Sequence, residues 1–149
     1  MTNKIIIPNK VLVEEVVRSI DEGKEVVLRT KGNSMLPFIV GERDSIRLGN
    51  CKTYRRLDVV LAEIQPGVHV IHRIIKIEGE NVTLMGDGNI YGTEKCKIKD
   101  IKALGIEVIT PNGKIRSLES SFHRFLATLW ILAKPFRRYI LAIYRRVFL

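Results

Sequence analysis

The sequence predicts a mainly β domain with one helix before it and a pair of amphipathic helices after it. Apolar residues at helical spacing occur near the N-terminus, short β-branched runs separated by turn residues fill the middle of the chain, and helical spacing returns in the tail. We therefore divide the chain into a β domain, residues 1–118, and a basic amphipathic helical tail, residues 119–149.

The N-terminal helix is predicted between Asn9, which favours the cap position, and Gly23, which favours the stop. Six β-branched runs follow it, at residues 25–30, 45–48, 59–64, 68–77, 82–85 and 102–109. Turn residues separate these runs, and the fourth and fifth runs form a predicted hairpin. One helix followed by about six strands predicts a sheet or a barrel.

The tail has an apolar side and a polar side in helical projection, and Pro135 is predicted to begin its second helix. The apolar side consists of Phe122, Phe125, Leu126, Leu129, Trp130, Leu132 and Phe136. The longest uncharged apolar run, residues 125–133, is less than half of the ~20 residues that a membrane span needs. We expect the tail to lie on a membrane surface, with Trp130 near the headgroups, or to pack against the core or a second subunit.

Charge and cysteine usage limit the possible partners and compartments. Residues 119–149 contribute +5 of the net charge of +9, but their apolar side favours lipid or protein over nucleic acid, which we do not expect as a partner. Cys51 and Cys96 have no metal-ligand spacing, so we expect a reducing compartment and neither metal nor cofactor. The apolar run before Pro8 has only three residues, too few for the core of a signal peptide. We expect a location in the cytoplasm or peripheral on the cytoplasmic membrane face.

The most informative stretch is the sequence KGNSMLP at residues 31–37, directly after the first predicted strand. A serine on a turn at a strand end is accessible, Gly32 permits close backbone approach, and Pro37 fixes the exit from the turn. Serine needs a neighbouring base to act as a nucleophile. Ser34 is therefore a candidate nucleophile, although an ordinary Gly/Ser turn is the common structural explanation.

Two further segments supply the groups that such a serine needs. His72 lies among apolar residues of the fourth run, VIHRIIKI, and can accept a proton at neutral pH. Asp87, in the turn GDGN at residues 86–89, could accept a hydrogen bond from the imidazole. Lys76 lies on the same predicted strand face as His72 and remains a second candidate base. A buried structural histidine and a turn aspartate are the alternatives.

Taken together, these motifs resemble those of type I signal peptidases, in the archaeal and endoplasmic-reticulum branch that uses histidine as the base. The resemblance rests on GNSMLP at 32–37, the strand start at Asp58, VIHRIIKI at 70–77 and GDGN at 86–89. The glycine that usually precedes the aspartate of the strand start is replaced here by Leu57. The resemblance implies a coiled β-sheet core shared with LexA-like self-cleaving repressors.

The resemblance also implies a role for each matching residue. Ser34 corresponds to the nucleophile, His72 to the general base and Asp87 to the aspartate that supports the base, while Met35 and Pro37 shape the turn. The Ser34 backbone N–H would donate to the oxyanion, with Asn33 as a candidate second donor. We expect Ser34 Oγ within about 2.6–3.5 Å of His72. An extended peptide substrate would dock along residues 59–64.

The function predicted from the sequence is therefore a serine endopeptidase that cleaves a leader or signal-like peptide. The alternative is a peptide-binding protein with the same fold and no turnover. A DNA-binding self-cleaving repressor is disfavoured because the residues before the first strand hold one helix, which leaves no room for a helix-turn-helix.

Overall fold

The computed structural model describes residues 9–149, so residues 1–8, on which the signal-peptide argument rests, lie outside the described residues. Within the described residues, eight strands in one antiparallel sheet and three helices confirm the mainly β class. The helices are α1 (Asn9–Asp21), α2 (Ser121–Leu132) and α3 (Arg137–Phe148). The strands are β1 (Val26–Arg29), β2 (Ser45–Gly49), β3 (Val59–Gln65), β4 (Val68–Glu78), β5 (Asn81–Met85), β6 (Glu94–Lys97), β7 (Ile101–Ile109) and β8 (Ile115–Ser117).

The sheet is open. Its strand order is β1-β2-β7-β3-β4-β5-β6, and β8 pairs with β7 beside this path. Within the described part of the chain, the end strands β1 and β6 do not pair with each other. Of the two arrangements that the sequence allowed, the molecule therefore adopts the open sheet.

Strands β6 and β8 are the two that the sequence pattern did not predict. The sequence of β6, EKCK, has three charged residues, and β8 has only three residues, all exposed. Neither strand buries an apolar run, so each depends on hydrogen bonding to its neighbour, β5 for β6 and β7 for β8. Tertiary pairing, which a local pattern does not record, creates both strands.

The core lies on both faces of the central strand β3. Its first four residues, Val59 to Ala62, are all buried, because successive side chains point to opposite faces and both faces are covered. Val59 and Leu61 pack with α1 and the buried residues of the turn that follows β1. Val60 and Ala62 pack with side chains from β4, β5 and β7.

The tail forms two helices joined by a short 3₁₀ turn, Lys134–Phe136. Pro135 lies inside that turn and α3 begins at Arg137, so the predicted division is present but the helix starts two residues later. Trp130 of α2 and Leu141 of α3 pack with Leu36 and Val40 in a third buried cluster. None of the helices in the described chain is both long enough and apolar enough to cross a bilayer.

Candidate functional site

Ser34 lies on a compact turn, residues 31–40, which we call the serine turn. Its backbone folds back at Gly32, which has a φ of +71°, a conformation that favours glycine. Ser34 is partly exposed, whereas the next two residues, Met35 and Leu36, are buried and hold the turn on the core. Pro37 follows a cis peptide bond. The predicted accessible serine on an anchored turn is therefore present.

The far end of the serine turn is closed by the buried carboxylate of Asp44. Asp44 accepts a hydrogen bond from the Val40 N–H at 2.8 Å, and the Thr30 hydroxyl donates to the Asp44 carbonyl at 3.0 Å. Gly41 lies against Gly32 so closely that a Cβ atom at position 41 would be 1.8 Å from the Gly32 carbonyl oxygen. The two ends of the turn therefore touch through glycine backbone.

The GDGN segment, residues 86–89, is the support on which the serine turn rests, and we call it the glycine turn. The Gly88 N–H donates to the Ser34 carbonyl oxygen at 2.8 Å. A Cβ atom at Gly86 would lie 2.3 Å from that oxygen, and one at Gly88 would lie 2.2 Å from the Asn33 carbonyl oxygen. Both glycines are required because the two backbones are in contact.

His72, on β4, lies beside the contact between the serine turn and the glycine turn. The same Cβ position at Gly86 lies 3.1 Å from His72 Nε2 and 2.3 Å from the Ser34 carbonyl oxygen. The distance between His72 Nε2 and the Ser34 carbonyl oxygen is therefore no greater than the sum of these two distances. The serine turn and the imidazole, which the sequence places 38 positions apart, meet beside one glycine.

The other ring nitrogen of His72 contacts a carboxylate. His72 Nδ1 is hydrogen-bonded to Glu94 Oε1, at the start of β6. The His72 side chain is 8% exposed and that of Glu94 is 22% exposed, so the pair is largely shielded from water. Because a carboxylate accepts, this contact assigns the proton of the neutral ring to Nδ1 and leaves Nε2 as the acceptor.

The prediction that Asp87 supports His72 is wrong in its geometry. The Asp87 carboxylate accepts two hydrogen bonds from Arg73, from Nε at 2.9 Å and from Nη2 at 2.8 Å. Both side chains of this ion pair are at most 3% exposed. His72 and Arg73 are consecutive on β4 and point to opposite faces, so each selects a different carboxylate. Asp87 instead links the glycine turn to β4 through Arg73.

A buried polar cluster joins the glycine turn to the tail. Trp130 Nε1 donates to the Asp87 carbonyl oxygen at 2.7 Å, and Arg137 donates to the Asn89 carbonyl oxygen at 3.0 Å. His123 Nε2 accepts from Arg73 Nη2 at 3.1 Å. Burial, together with the charge of Arg73, lowers the pKa of His123 from 6.5 to about 4. His123 is therefore neutral at pH 7 and accepts the hydrogen bond.

The expected hydrogen bond between Ser34 and His72 is not formed: within residues 9–149, the ring bonds only to Glu94. Both residues nevertheless line one open cleft of about 510 Å³. Its walls are mostly apolar, formed by residues of α1, β1 and β4 together with the serine turn. Lys76 is absent from the cleft wall and forms an exposed ion pair with Glu78 at 3.1 Å. Of the two predicted base candidates, His72 therefore shares the cleft with Ser34 and Lys76 does not.

Two strand edges are available beside the cleft. Among the described strands, β1 pairs only with β2, and residues 68–72 of β4 pair only with β3, because β5 begins its pairing at Arg73. Residues 59–64, the predicted docking edge, lie in β3, which pairs with both β4 and β7. That prediction is wrong because β3 is an inner strand. The unpaired edges beside the cleft are those of β1 and of residues 68–72.

The turn also offers a donor for an oxyanion. In the described part of the chain, the Ser34 backbone N–H makes no hydrogen bond, so it can donate to a bound group. The Asn33 side chain is exposed and is likewise not engaged by any described residue. These observations agree with the predicted donor and with the candidate second donor, and the role of each stays a prediction.

Sequence reasoning missed Glu94, Arg73 and the tail residues behind the glycine turn. Glu94 lies in a charged segment with no apolar signal, and only the pairing of β6 with β5 brings it to His72. Arg73 lies inside the VIHRIIKI segment next to His72, and the alternation of side chains along a strand was the signal that could have identified it.

No family model matches this chain, and no curated protein matches it at a significant level.

Proposed function

We propose that this protein is a serine endopeptidase of the signal-peptidase kind, in which Ser34 is the nucleophile, His72 the general base and Glu94 the group that orients the base. The observation that carries the proposal is the placement of the imidazole: Nδ1 contacts the Glu94 carboxylate, and Nε2 lies beside the glycine that supports Ser34. A serine, a base and a carboxylate in this order form the arrangement used for acyl transfer.

In the proposed reaction, the Ser34 hydroxyl attacks the carbonyl carbon of a peptide bond as His72 Nε2 takes its proton. The carbonyl oxygen becomes an oxyanion that accepts a hydrogen bond from the Ser34 N–H. The protonated imidazole, held by Glu94, then gives its proton to the leaving amine. Water hydrolyses the resulting acyl-enzyme by the same route, with His72 again acting first as base and then as acid.

The cleft favours an extended peptide with apolar side chains. A substrate strand would hydrogen-bond to the edge of β1 or of residues 68–72, both of which line the cleft. Apolar residues such as Leu28, Met35 and Leu61 would contact alternate side chains of that strand. We therefore infer a leader or signal-like segment as the substrate, since such segments are apolar and extended.

One backbone feature agrees with the resemblance to signal peptidases. Leu57, at the position where the signal-peptidase pattern has glycine, has a φ of +81°. Few residues other than glycine adopt this region readily. The position therefore has the conformation that the family's glycine would supply, although its side chain is leucine.

The test is digestion of a diverse peptide library, with cleavage sites read by mass spectrometry. We expect cleavage next to apolar residues by the wild-type chain and by Ser121→Ala, whose serine is exposed on the tail. Ser34→Ala and His72→Gln should abolish cleavage, whereas Lys76→Ala should retain it. Peptides that are bound but not cleaved by the wild-type chain would refute the enzyme and support a peptide-binding protein.

A further inference from the structure

Both tail helices expose an apolar stripe. On α2, the exposed residues follow helical spacing along one face, and on α3 a second set does the same. Several of these side chains are more than 60% exposed, although they are large and apolar. The set comprises Phe122, Phe125, Leu129, Leu132, Phe136, Tyr139, Ile140, Ile143 and Val147. Large apolar side chains exposed at regular helical spacing on a folded domain indicate a partner.

The opposite faces of the same helices already hold the tail on the domain. Trp130 and Leu141 are buried in the third core cluster, and Arg137 is 2% exposed against the glycine turn. Packing on the core was one of the expectations for the tail, and it accounts for these residues. It does not account for the exposed stripes, which face away from that contact.

The charge around the stripes selects the partner. No acidic residue follows Glu119, and the tail exposes Lys134, Arg138, Arg145 and Arg146. None of these four forms an ion pair with a carboxylate in the described part of the chain. A second copy of the tail would bring like charges together, whereas an anionic surface would attract all four.

We propose that the exposed face of α2 and α3 docks on an anionic lipid bilayer surface. Each helix has 12 residues, about 18 Å in length, so neither spans the ~30 Å hydrocarbon core. The helices lie in the interface, with apolar side chains among the acyl chains and basic side chains at the headgroups. Trp130 does not take part, because it is buried. The inference is independent of catalysis at Ser34.

The experiment is cosedimentation of the full chain with phosphatidylcholine vesicles that contain or lack phosphatidylglycerol. We expect binding to the anionic vesicles that decreases as the salt concentration rises. Phe122→Ser with Leu132→Ser should weaken the partition about tenfold or more for each substitution. Arg145→Gln with Arg146→Gln should weaken it about fivefold for each charge removed.

Matched variants separate the proposed face from general hydrophobicity and charge. Ile115→Ser removes an apolar side chain that is 57% exposed on β8, and Lys99→Gln with Lys114→Gln removes two exposed charges from the β domain. Both variants should bind like the wild-type chain. Circular dichroism and thermal unfolding verify that every compared variant is folded.

Three results would overturn the proposal. The first is equal binding to both kinds of vesicle or to neither. The second is a loss of binding that is the same for the tail variants and the matched variants. The third is a dimer in analytical ultracentrifugation that Phe122→Ser with Leu132→Ser converts to a monomer, which would assign the face to a second copy of the chain.

Discussion

Replacing Gly86 by alanine tests whether the glycine turn sets the position of the nucleophile. The added Cβ atom would lie 2.3 Å from the Ser34 carbonyl oxygen, about 1 Å closer than an ordinary contact of 3.4 Å. The same atom would lie 3.1 Å from His72 Nε2. Either the serine turn or the glycine turn must therefore move, and the serine is displaced relative to the imidazole.

The magnitude follows from that displacement. Overpacking at a buried position costs about 1–3 kcal/mol of unfolding free energy. A misplacement of about 1 Å at a reacting group lowers the rate about a hundredfold. Gly86→Ala should therefore unfold at lower urea concentration and also react about a hundred times more slowly, even when it is fully folded.

The assay measures the rate at which a fluorophosphonate probe forms an adduct on Ser34. It is carried out under conditions in which each variant is fully folded. The control is Gly113→Ala, which has a φ of +85° and nothing within 4 Å of the added Cβ atom. It should lose about 1 kcal/mol through backbone strain and keep the wild-type rate. A folded Gly86→Ala chain that reacts as fast as Gly113→Ala would refute the reasoning.

Three further predictions concern the groups behind the nucleophile. Glu94→Gln should lower the rate of Ser34 acylation about a hundred- to ten-thousand-fold, because the amide no longer holds the His72 tautomer. The pKa of His123 falls to about 4 in the fold, so its contribution to stability is complete above pH 6.5 and is lost as the pH falls toward 4. Over this range, the difference in unfolding free energy between the wild-type chain and His123→Gln should decrease by about 2 kcal/mol, measured by urea titrations. Arg73→Met leaves Asp87 buried without its partner and should cost about 3–5 kcal/mol, measured by urea denaturation.

Each of these predictions has a contradicting result. A Glu94→Gln chain with the wild-type acylation rate would remove the carboxylate from the site. Parallel pH curves for the wild-type chain and His123→Gln would show that this histidine titrates equally in both states. For the ion pair, Arg47→Met breaks a partly exposed pair with Glu107 and should cost only about 0–1 kcal/mol. Equal losses for the two arginine variants would contradict the role of burial.

The parts of the fold that depend on local pattern were predictable. The helix before the sheet, six of the strands and the turn that presents Ser34 all follow from spacing and turn residues. The sequence singles out the glycines of the GDGN segment, but it does not show why glycine is required at these positions. That reason is contact with the serine turn, which lies about fifty positions earlier in the chain.

The carboxylate assignment shows where the sequence stops being informative. Asp87 and Glu94 are seven positions apart, and both follow β5. Only the pairing of β6 with β5 directs Glu94 to His72, and only the alternation of β4 directs Asp87 to Arg73. Because β6 has no apolar pattern, the choice between the two acids required the sheet register.

The tail also shows a limit to what the sequence can predict. Helical projection separated an apolar side from a polar side correctly enough to predict two amphipathic helices. It did not show which residues would be buried. In the structure, Trp130, His123 and Arg137 are buried, and most phenylalanines are exposed. The hydrogen bonds of Trp130 and Arg137 to the glycine turn account for that choice.

Covalent labelling of Ser34 by a fluorophosphonate, read by mass spectrometry of the digested chain, tests the central claim most directly. We expect one adduct, on the peptide that contains Ser34, with loss of fluoride. His72→Gln, verified as folded, should abolish it, and Lys76→Ala should leave it unchanged. A folded wild-type chain that forms no adduct, or an adduct on Ser34 that persists without the imidazole, would contradict the proposed pairing of nucleophile and base.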